Sequence, residues 1–217
     1  MKQWNKIYKQ YRNYGAPLNQ VGPLVKLLKK QNVRRILDLG CGSGKHLIFL
    51  VKHGFKLYGI DIAEGAIKIA QEKLKKNKLK ANLKTGSIYK KLPYKDNFFD
   101  AVISLRVMNH GRIEQIRRII REIERVLKSQ GSIFITVLRV ITKKKSKIRK
   151  INFIRVKMLD SRTYIPLEGR EKGVVHYIFN KELLKKEFKN FKIQRLWVDY
   201  GKEKWERYHC LLGRLSN

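Results

Sequence analysis

Short apolar runs alternate with helix-periodic segments along most of this 217-residue chain, and that alternation restricts the possible folds more than any other feature. VRRILDL (33–39), FKLYGI (55–60), ANLKTG (81–86), FFDAVISL (98–105) and GSIFITVL (131–138) read as strands, being short and rich in β-branched and aromatic residues. GKHLIFLVKHG (44–54), AEGAIKIAQEKLKKN (63–77) and RIEQIRRIIREIERVLK (112–128) read as helices between them. In the last of these, Ile113, Ile116, Ile119, Ile120, Ile123, Val126 and Leu127 hold one apolar stripe at helical spacing. Glu114 with Arg118, and Glu124 with Lys128, fall at i,i+4 in the favourable order. Strand–helix alternation of this kind implies βαβ units and a mainly parallel sheet covered by helices on both faces.

The flanks add detail. LNQVGPLVKLLKKQ (18–31) predicts an upstream helix, and NKELLKKEFKN (180–190) another with Asn180 as its N-cap. KIQRLWVDY (192–200) and RYHCLLGRL (207–215) are strands joined by a short polar link, which suggests a hairpin and one terminal strand running antiparallel. No internal repeat or low-complexity linker breaks the pattern, so 1–217 reads as a single domain. Within it, 1–17 is a cap segment carrying Trp4, Tyr8, Tyr11 and Tyr14, and 139–179 is a basic insert or lid before the last helix.

Composition bounds the function. With 43% hydrophobic residues the chain can bury a full core. The N-terminus has no continuous apolar stretch and no run approaches a membrane span, so a soluble, cytoplasmic protein is expected. Cys41 and Cys210 lack paired spacing for zinc or a disulfide framework, and no metal is expected. Lys and Arg number 51 against 17 Asp and Glu, a formal +34. Such a surface repels itself unless a polyanion is nearby, which points to RNA; a lysine-rich proteome would give the same excess. The basic surface would include Arg139, Lys143, Lys144, Lys145, Lys147, Arg149 and Lys150, from a stretch with nine bases and no acid between Arg139 and Lys157.

The first strand ends in Asp38-Leu39 and runs into Gly40-Cys41-Gly42-Ser43-Gly44. A dinucleotide fingerprint needs a third glycine where Lys45 stands, and a P-loop needs a lysine-serine ending that is missing. Asp61 ends the second strand, where a carboxylate can accept from both hydroxyls of a ribose. The ligand therefore has a ribose, and no pyrophosphate pocket is evident. LDLGCGSG, GIDIA, TGSIYKKLPYKDNFFDAVISLRVMNH and IREIERVLKSQGSIFITV, in matching order from about 33 to 138, resemble the class I S-adenosylmethionine-dependent methyltransferases.

The resemblance implies a three-layer αβα Rossmann-like fold with a seven-stranded sheet of order 3-2-1-4-5-7-6, the last strand antiparallel. It implies S-adenosylmethionine as cofactor. Gly40, Gly42 and Gly44 would admit its methionine part, Asp38 would orient the amino group, and Asp61 would hold the ribose. Ile62, Ser87 and Ile88 would surround the adenine, although many relatives have Asp where Ser87 stands. Leu105 and Arg106 would face the sulfonium. Methyl transfer needs alignment and exclusion of water more than it needs an acid or base. Arg106, Asn109 and His110 are the catalytic candidates, His110 as general base or as a structural histidine. Tyr164, Arg170 and His176 would form a substrate rim, or part of a simple lid. The chain lacks the [ND]PP[YF] motif of exocyclic adenine methylation, having SLRV after the fourth strand. It is also similar to tRNA wobble-uridine carboxymethyl methyltransferases, whose carboxylate acceptor Arg106 or Arg170 would suit. Three functions follow: an RNA methyltransferase, favoured by charge, a small-molecule methyltransferase, and a noncatalytic RNA-binding relative.

S-adenosylhomocysteine should displace labelled S-adenosylmethionine from the protein, whereas NAD and ATP at comparable concentrations should not. Displacement by NAD but not by S-adenosylhomocysteine would overturn the resemblance.

Overall fold

The computed structural model describes residues 2–10, 21–140, 148–151, 154–201 and 206–216. Seven strands form the main sheet: β1 (Arg35–Leu39), β2 (Lys56–Asp61), β3 (Asn82–Thr85), β4 (Phe99–Leu105), β5 (Leu127–Leu138), β10 (Phe191–Tyr200) and β11 (Arg207–Leu215). Their spatial order is β10-β11-β5-β4-β1-β2-β3. The five strands from β5 to β3 run parallel, and β11 is antiparallel to both β5 and β10. With β10 and β11 counted sixth and seventh in the sheet, this is the order that the resemblance implies, with the antiparallel last strand that the terminal hairpin suggests.

Period-two alternation sorts the strand residues onto two cores. Leu37, Leu39, Val102, Ile133, Ile135 and Val137 face one core, shared with α5 (Ile113–Val126) and α6 (Lys181–Glu187). Ile36, Ala101, Ile103, Leu105 and Phe134 face the other, under α2 (Val21–Lys30), α3 (Lys45–Lys52) and α4 (Glu64–Lys76). Because both faces are covered, the central strands read as continuous apolar runs. The isoleucine stripe of α5 is buried from Ile116 through Ile123. Asn180 caps α6 as predicted, its side-chain oxygen accepting from Leu183 N–H at 2.9 Å.

Two local expectations give way to tertiary structure. The predicted helix over 112–128 ends at Val126, because Leu127 already pairs with Phe99 in the sheet. Lys128 therefore leaves Glu124 and meets Asp100, 2.5 Å away, whose other oxygen accepts from the Arg34 and Arg35 N–H groups. The insert also holds more order than its turn-rich sequence suggests. β6 (Ile148–Ile151), β7 (Ile154–Met158), β8 (Thr163–Pro166) and β9 (His176–Tyr177) form a second, antiparallel sheet. Asp160 closes the β7–β8 turn by accepting from the Arg162 and Thr163 N–H groups at 2.8 and 2.7 Å. Ile151, Val156, Met158, Tyr164 and Ile178 give this sheet a small core of its own.

In the cap segment, α1 (Lys2–Gln10) packs Trp4 and Tyr8 onto Ala63 and Ala66 at the start of α4. Tyr11 and Tyr14, like Lys143, Lys144, Lys145 and Lys147, lie outside the described residues, as do the side chains of Arg149 and Lys150 in β6. No helix among the described residues is long and apolar enough to cross a membrane.

Ile119 is fully buried between α5 and the sheet. Ile119→Ala should destabilise the chain by about 2–5 kcal/mol through lost burial and a residual cavity. Urea denaturation checks this, and a loss far smaller than that range would mean α5 packs more loosely than the geometry shows.

Candidate active site

The carboxyl ends of β1, β2, β4 and β5 meet at one edge of the sheet, and a cavity of about 1050 Å³ opens there. Gly40, Cys41 and Gly42 form part of its floor, with Asp61 and Ile62 from the end of β2 and Leu105 and Arg106 from the end of β4. Ile88, Asn109 and His110 come from the loops after β3 and β4. Trp4 and Tyr8 of α1, with Ile151, Val156, Tyr164, Glu171 and His176 of the insert, close over it. The cavity lies where open α/β sheets bind ligands.

The glycine turn is built for close approach. Gly40, Gly42 and Gly44 have φ of 77°, 53° and 74°, a region costly for residues with a Cβ. Gly40 and Cys41 donate N–H to the Ile60 carbonyl, at 2.8 and 3.1 Å, which ties the turn to β2. A side chain at Gly42 would strike the Tyr8 hydroxyl, so α1 covers this part of the turn. Gly44 serves a different purpose from the one predicted. It is not part of the cavity wall; a Cβ there would lie 2.9 Å from that of Ala70, so its role is to let α3 and α4 pack.

Asp61 is buried, and its two oxygens accept from Gly42 N–H and Ala63 N–H at 2.8 Å each. Each oxygen keeps lone-pair capacity for a ribose hydroxyl. Asp38 lies just beneath the wall, 2% exposed, and its Oδ2 has no hydrogen-bond partner among the described residues. Burial, followed by repulsion from Asp61, raises its carboxyl to about 7. Burial and the Arg106 and Lys73 cations lower Lys45 to about 7, with Asp38 opposing. One end of the cavity thus sets a carboxyl with one unpartnered oxygen near Lys45, which in turn feels Arg106, a complement to an amino-acid zwitterion. These features fit S-adenosylmethionine: Asp38 would take its ammonium, Asp61 its ribose, and Ile62 and Ile88 would lie against the adenine. Ser87 is not in the wall; its hydroxyl accepts from Tyr89 N–H at 3.2 Å instead.

Arg106 has φ of 63°, an uncommon value for a residue with a side chain and one often kept at functional sites. Its N–H donates to Thr136 and its guanidinium to the Tyr208 hydroxyl at 3.3 Å, so it sits between β4 and β11. His110 and His176 are buried and adjacent, with ring centroids 4.9 Å apart. Burial lowers His110 against the opposing pull of Glu171, keeping its imidazole neutral. Tyr164 stacks on His176 at 4.9 Å, and Arg170 lies exposed at the mouth. Sequence reasoning missed Glu171, Lys45 and Tyr208. An acid five residues before His176 in a glycine-flanked turn was the available signal for Glu171.

Residues 36–131 match the methyltransferase-domain family. Residues 36–131 form a class I S-adenosylmethionine-dependent methyltransferase domain. It is 31% identical over 104 residues to a ubiquinone biosynthesis O-methyltransferase of Pelagibacter ubique, covering 48% of this chain and 42% of that one. It is 38% identical over 103 residues to a tRNA (carboxymethyluridine(34)-5-O)-methyltransferase of Arabidopsis thaliana, covering 47% and 23%. Among solved structures it is similar to the 1,6-didemethyltoxoflavin-N1-methyltransferase of Burkholderia thailandensis, solved with S-adenosylhomocysteine bound. That match has a TM-score of 0.74 at 13% identity and covers 100% of this chain and 87% of that one. The chain spans less than half the length of these two curated relatives. S-adenosylmethionine is the cofactor of this methyltransferase family.

With its carboxyl raised to about 7, folded Asp38 stays protonated where the unfolded chain, near its ordinary 3.8, has already ionised. The folded state therefore holds an extra proton between these values, and stability falls as pH rises through that window. Asp38→Asn should flatten the slope and raise stability at pH 8 by about 1–4 kcal/mol. It should also weaken S-adenosylmethionine binding, since an amide cannot neutralise an ammonium. Urea titrations at several pH values with calorimetry test both, and a variant keeping the wild-type slope would refute the assignment.

Proposed function

We propose that this chain transfers the methyl group of S-adenosylmethionine to a small molecule with an apolar or aromatic body and one nucleophilic heteroatom. The size and lining of the cavity carry this reading. Its volume of about 1050 Å³ lies at the upper end of small-molecule pockets, with room for the cofactor and an acceptor together. Trp4, Tyr89, Ile151, Ile154, Val156 and Tyr164 supply apolar and aromatic wall, while Asn109, His110 and His176 supply polar groups for orientation. The sulfonium of the bound cofactor supplies an activated methyl group. The chain's residues hold the acceptor in line with it, exclude water under α1 and the insert, and offer the neutral His110 imidazole to an acceptor that must lose a proton.

The net charge of +34 supports a second reading, in which the acceptor lies in RNA. The basic stretch from Arg139 to Lys150 would then track phosphates, and the resemblance to the tRNA methyltransferase is consistent with that.

Methyl-labelled S-adenosylmethionine is incubated with the protein and, in parallel, a metabolite extract or total cellular RNA. Label in the low-molecular-mass fraction, abolished by Asp61→Ala, is the expected result. Label in RNA alone would replace the first reading with the second. In that case, changing Lys143, Lys144, Lys145 and Lys147 together to Gln should reduce the salt slope of RNA binding by about 0.7–0.9 per lost phosphate contact.

A further inference from the structure

The loop after β4 and strand β9 are joined through their backbones. His110 and His176 face each other in an isolated antiparallel bridge. Gly111 N–H donates to the Val175 carbonyl at 2.8 Å, and Tyr177 N–H to the Asn109 carbonyl at 2.7 Å. Opposed residues in such a pair carry their side chains on one face with Cβ atoms about 4.5–5.5 Å apart. Two imidazoles distant in sequence are therefore held as neighbours. Glu171, in the turn ahead of β9, sets its Oε2 at 2.7 Å from His176 Nε2 and 3.8 Å from His110 Nε2.

The proton count at His176 is informative. Its Nδ1 lies 2.9 Å from the Val174 carbonyl oxygen, which only an N–H can satisfy. Its Nε2 lies 2.7 Å from a carboxylate oxygen, a second acceptor. A neutral imidazole has one N–H for these two acceptors. The deficit is met either by an added proton or by a cation shared between nitrogen and oxygen. A ring whose Nδ1 donates to a backbone carbonyl, leaving the Nε2 lone pair outward, is the usual arrangement of a metal-ligating histidine. His110 turns its Nε2 toward the same carboxylate oxygen, at 3.8 Å.

We propose that His110 Nε2, His176 Nε2 and the Glu171 carboxylate bind one divalent transition-metal ion of the zinc class on the wall of the cavity. The donor atoms all lie within 4.8 Å of one another. Metal–ligand bonds of about 2.0–2.2 Å in tetrahedral geometry place donors roughly 3.3–3.6 Å apart. The observed 2.7 and 3.8 Å bracket that range and no donor pair lies beyond 4.8 Å, so the site closes by shifts on the order of an ångström. Two imidazoles and a carboxylate with one open position are a donor set of catalytic zinc. Tyr164 stacked on His176 and Trp4 edge-on to His110 fix the ring planes from outside. Asn109 Oδ1 is buried without a partner among the described residues and lines the same cavity, where it can accept from a water on the open side.

No cysteine pair announces this site in the sequence, and the expectation of no metal followed from that. What the ion does rests on the methyl-transfer reading; the site does not. With His110 Nε2 bound to the ion and no longer available as a base, an acceptor hydroxyl on the open side would instead release its proton to solvent more readily. The resulting oxygen anion would take the methyl group as the carbon–sulfur bond breaks and its electron pair returns to sulfur.

The test uses tag-free, full-length protein dialysed against a chelator, titrated with Co²⁺ and followed by visible absorption, with Zn²⁺ as competitor. One equivalent of Co²⁺ per chain should give visible bands that Zn²⁺ removes. Glu171→Gln and His176→Ala should each weaken uptake at least tenfold, and His53→Ala, at the end of α3, should leave it unchanged. Absence of bands in the unaltered protein, or unchanged uptake in both cluster variants, overturns the site and leaves the His176–Glu171 contact as a hydrogen-bonded pair. S-adenosylmethionine binding, measured by calorimetry on the same samples, keeps the two readings separate. A chain that binds the cofactor but takes up no Co²⁺ overturns the metal site alone.

Discussion

The hydrogen bond from Gly42 N–H to Asp61 Oδ2 holds the functional edge of this fold together. A glycine turn with three left-handed residues has wide backbone freedom, and freedom of that kind is costly to fix. The Asp61 carboxylate and the Ile60 carbonyl together take three of its N–H groups, locking the turn to the neighbouring strand. The same carboxylate accepts from Ala63 N–H at the start of α4. One side chain therefore fixes the turn and the entry to the next helix while keeping capacity for a ligand. Parallel pairing of β1 with β2 makes this possible, since it brings both strand ends to the same edge.

Around that clamp the molecule places ionisable groups where burial opposes their charge. Asp38 lies beneath the turn with an unpartnered oxygen, and Lys45 is lowered by burial and by neighbouring cations. Ionising a core carboxyl of this kind costs free energy unless a ligand cation neutralises it. Such charges mark a binding site more specifically than the net charge of +34, which bears on association and not on chemistry.

The insert contributes a second layer of organisation. Its small sheet has a core of its own and meets the main body through two isolated bridges, His110 with His176 and Arg139 with Phe179. The first lies beside the cavity and the second continues from the end of β5. Cover and acceptor groups thus arrive on the same segment, so whatever closes the cavity also orients its contents.

The main sheet was legible in the sequence because its determinants are local. Period-two alternation in β4 and β5, the isoleucine stripe of α5 and the Asn180 cap each act over a few residues. The glycine turn and Asp61 were legible for a related reason: a strand end, a tight turn and an acid at the next strand end are tied to fixed steps of a βαβ unit. The end of α5 was not legible, because Leu127 exchanges a helical turn for pairing with Phe99, a partner that only the sheet supplies. Nor was the separation of Gly44 from the cavity, which depends on how closely α3 approaches Ala70 of α4. Tertiary structure alone decided that Glu171 joins His110 and His176. Their meeting depends on backbone pairing between segments far apart in the chain, and no residue spacing encodes the register of such a pair.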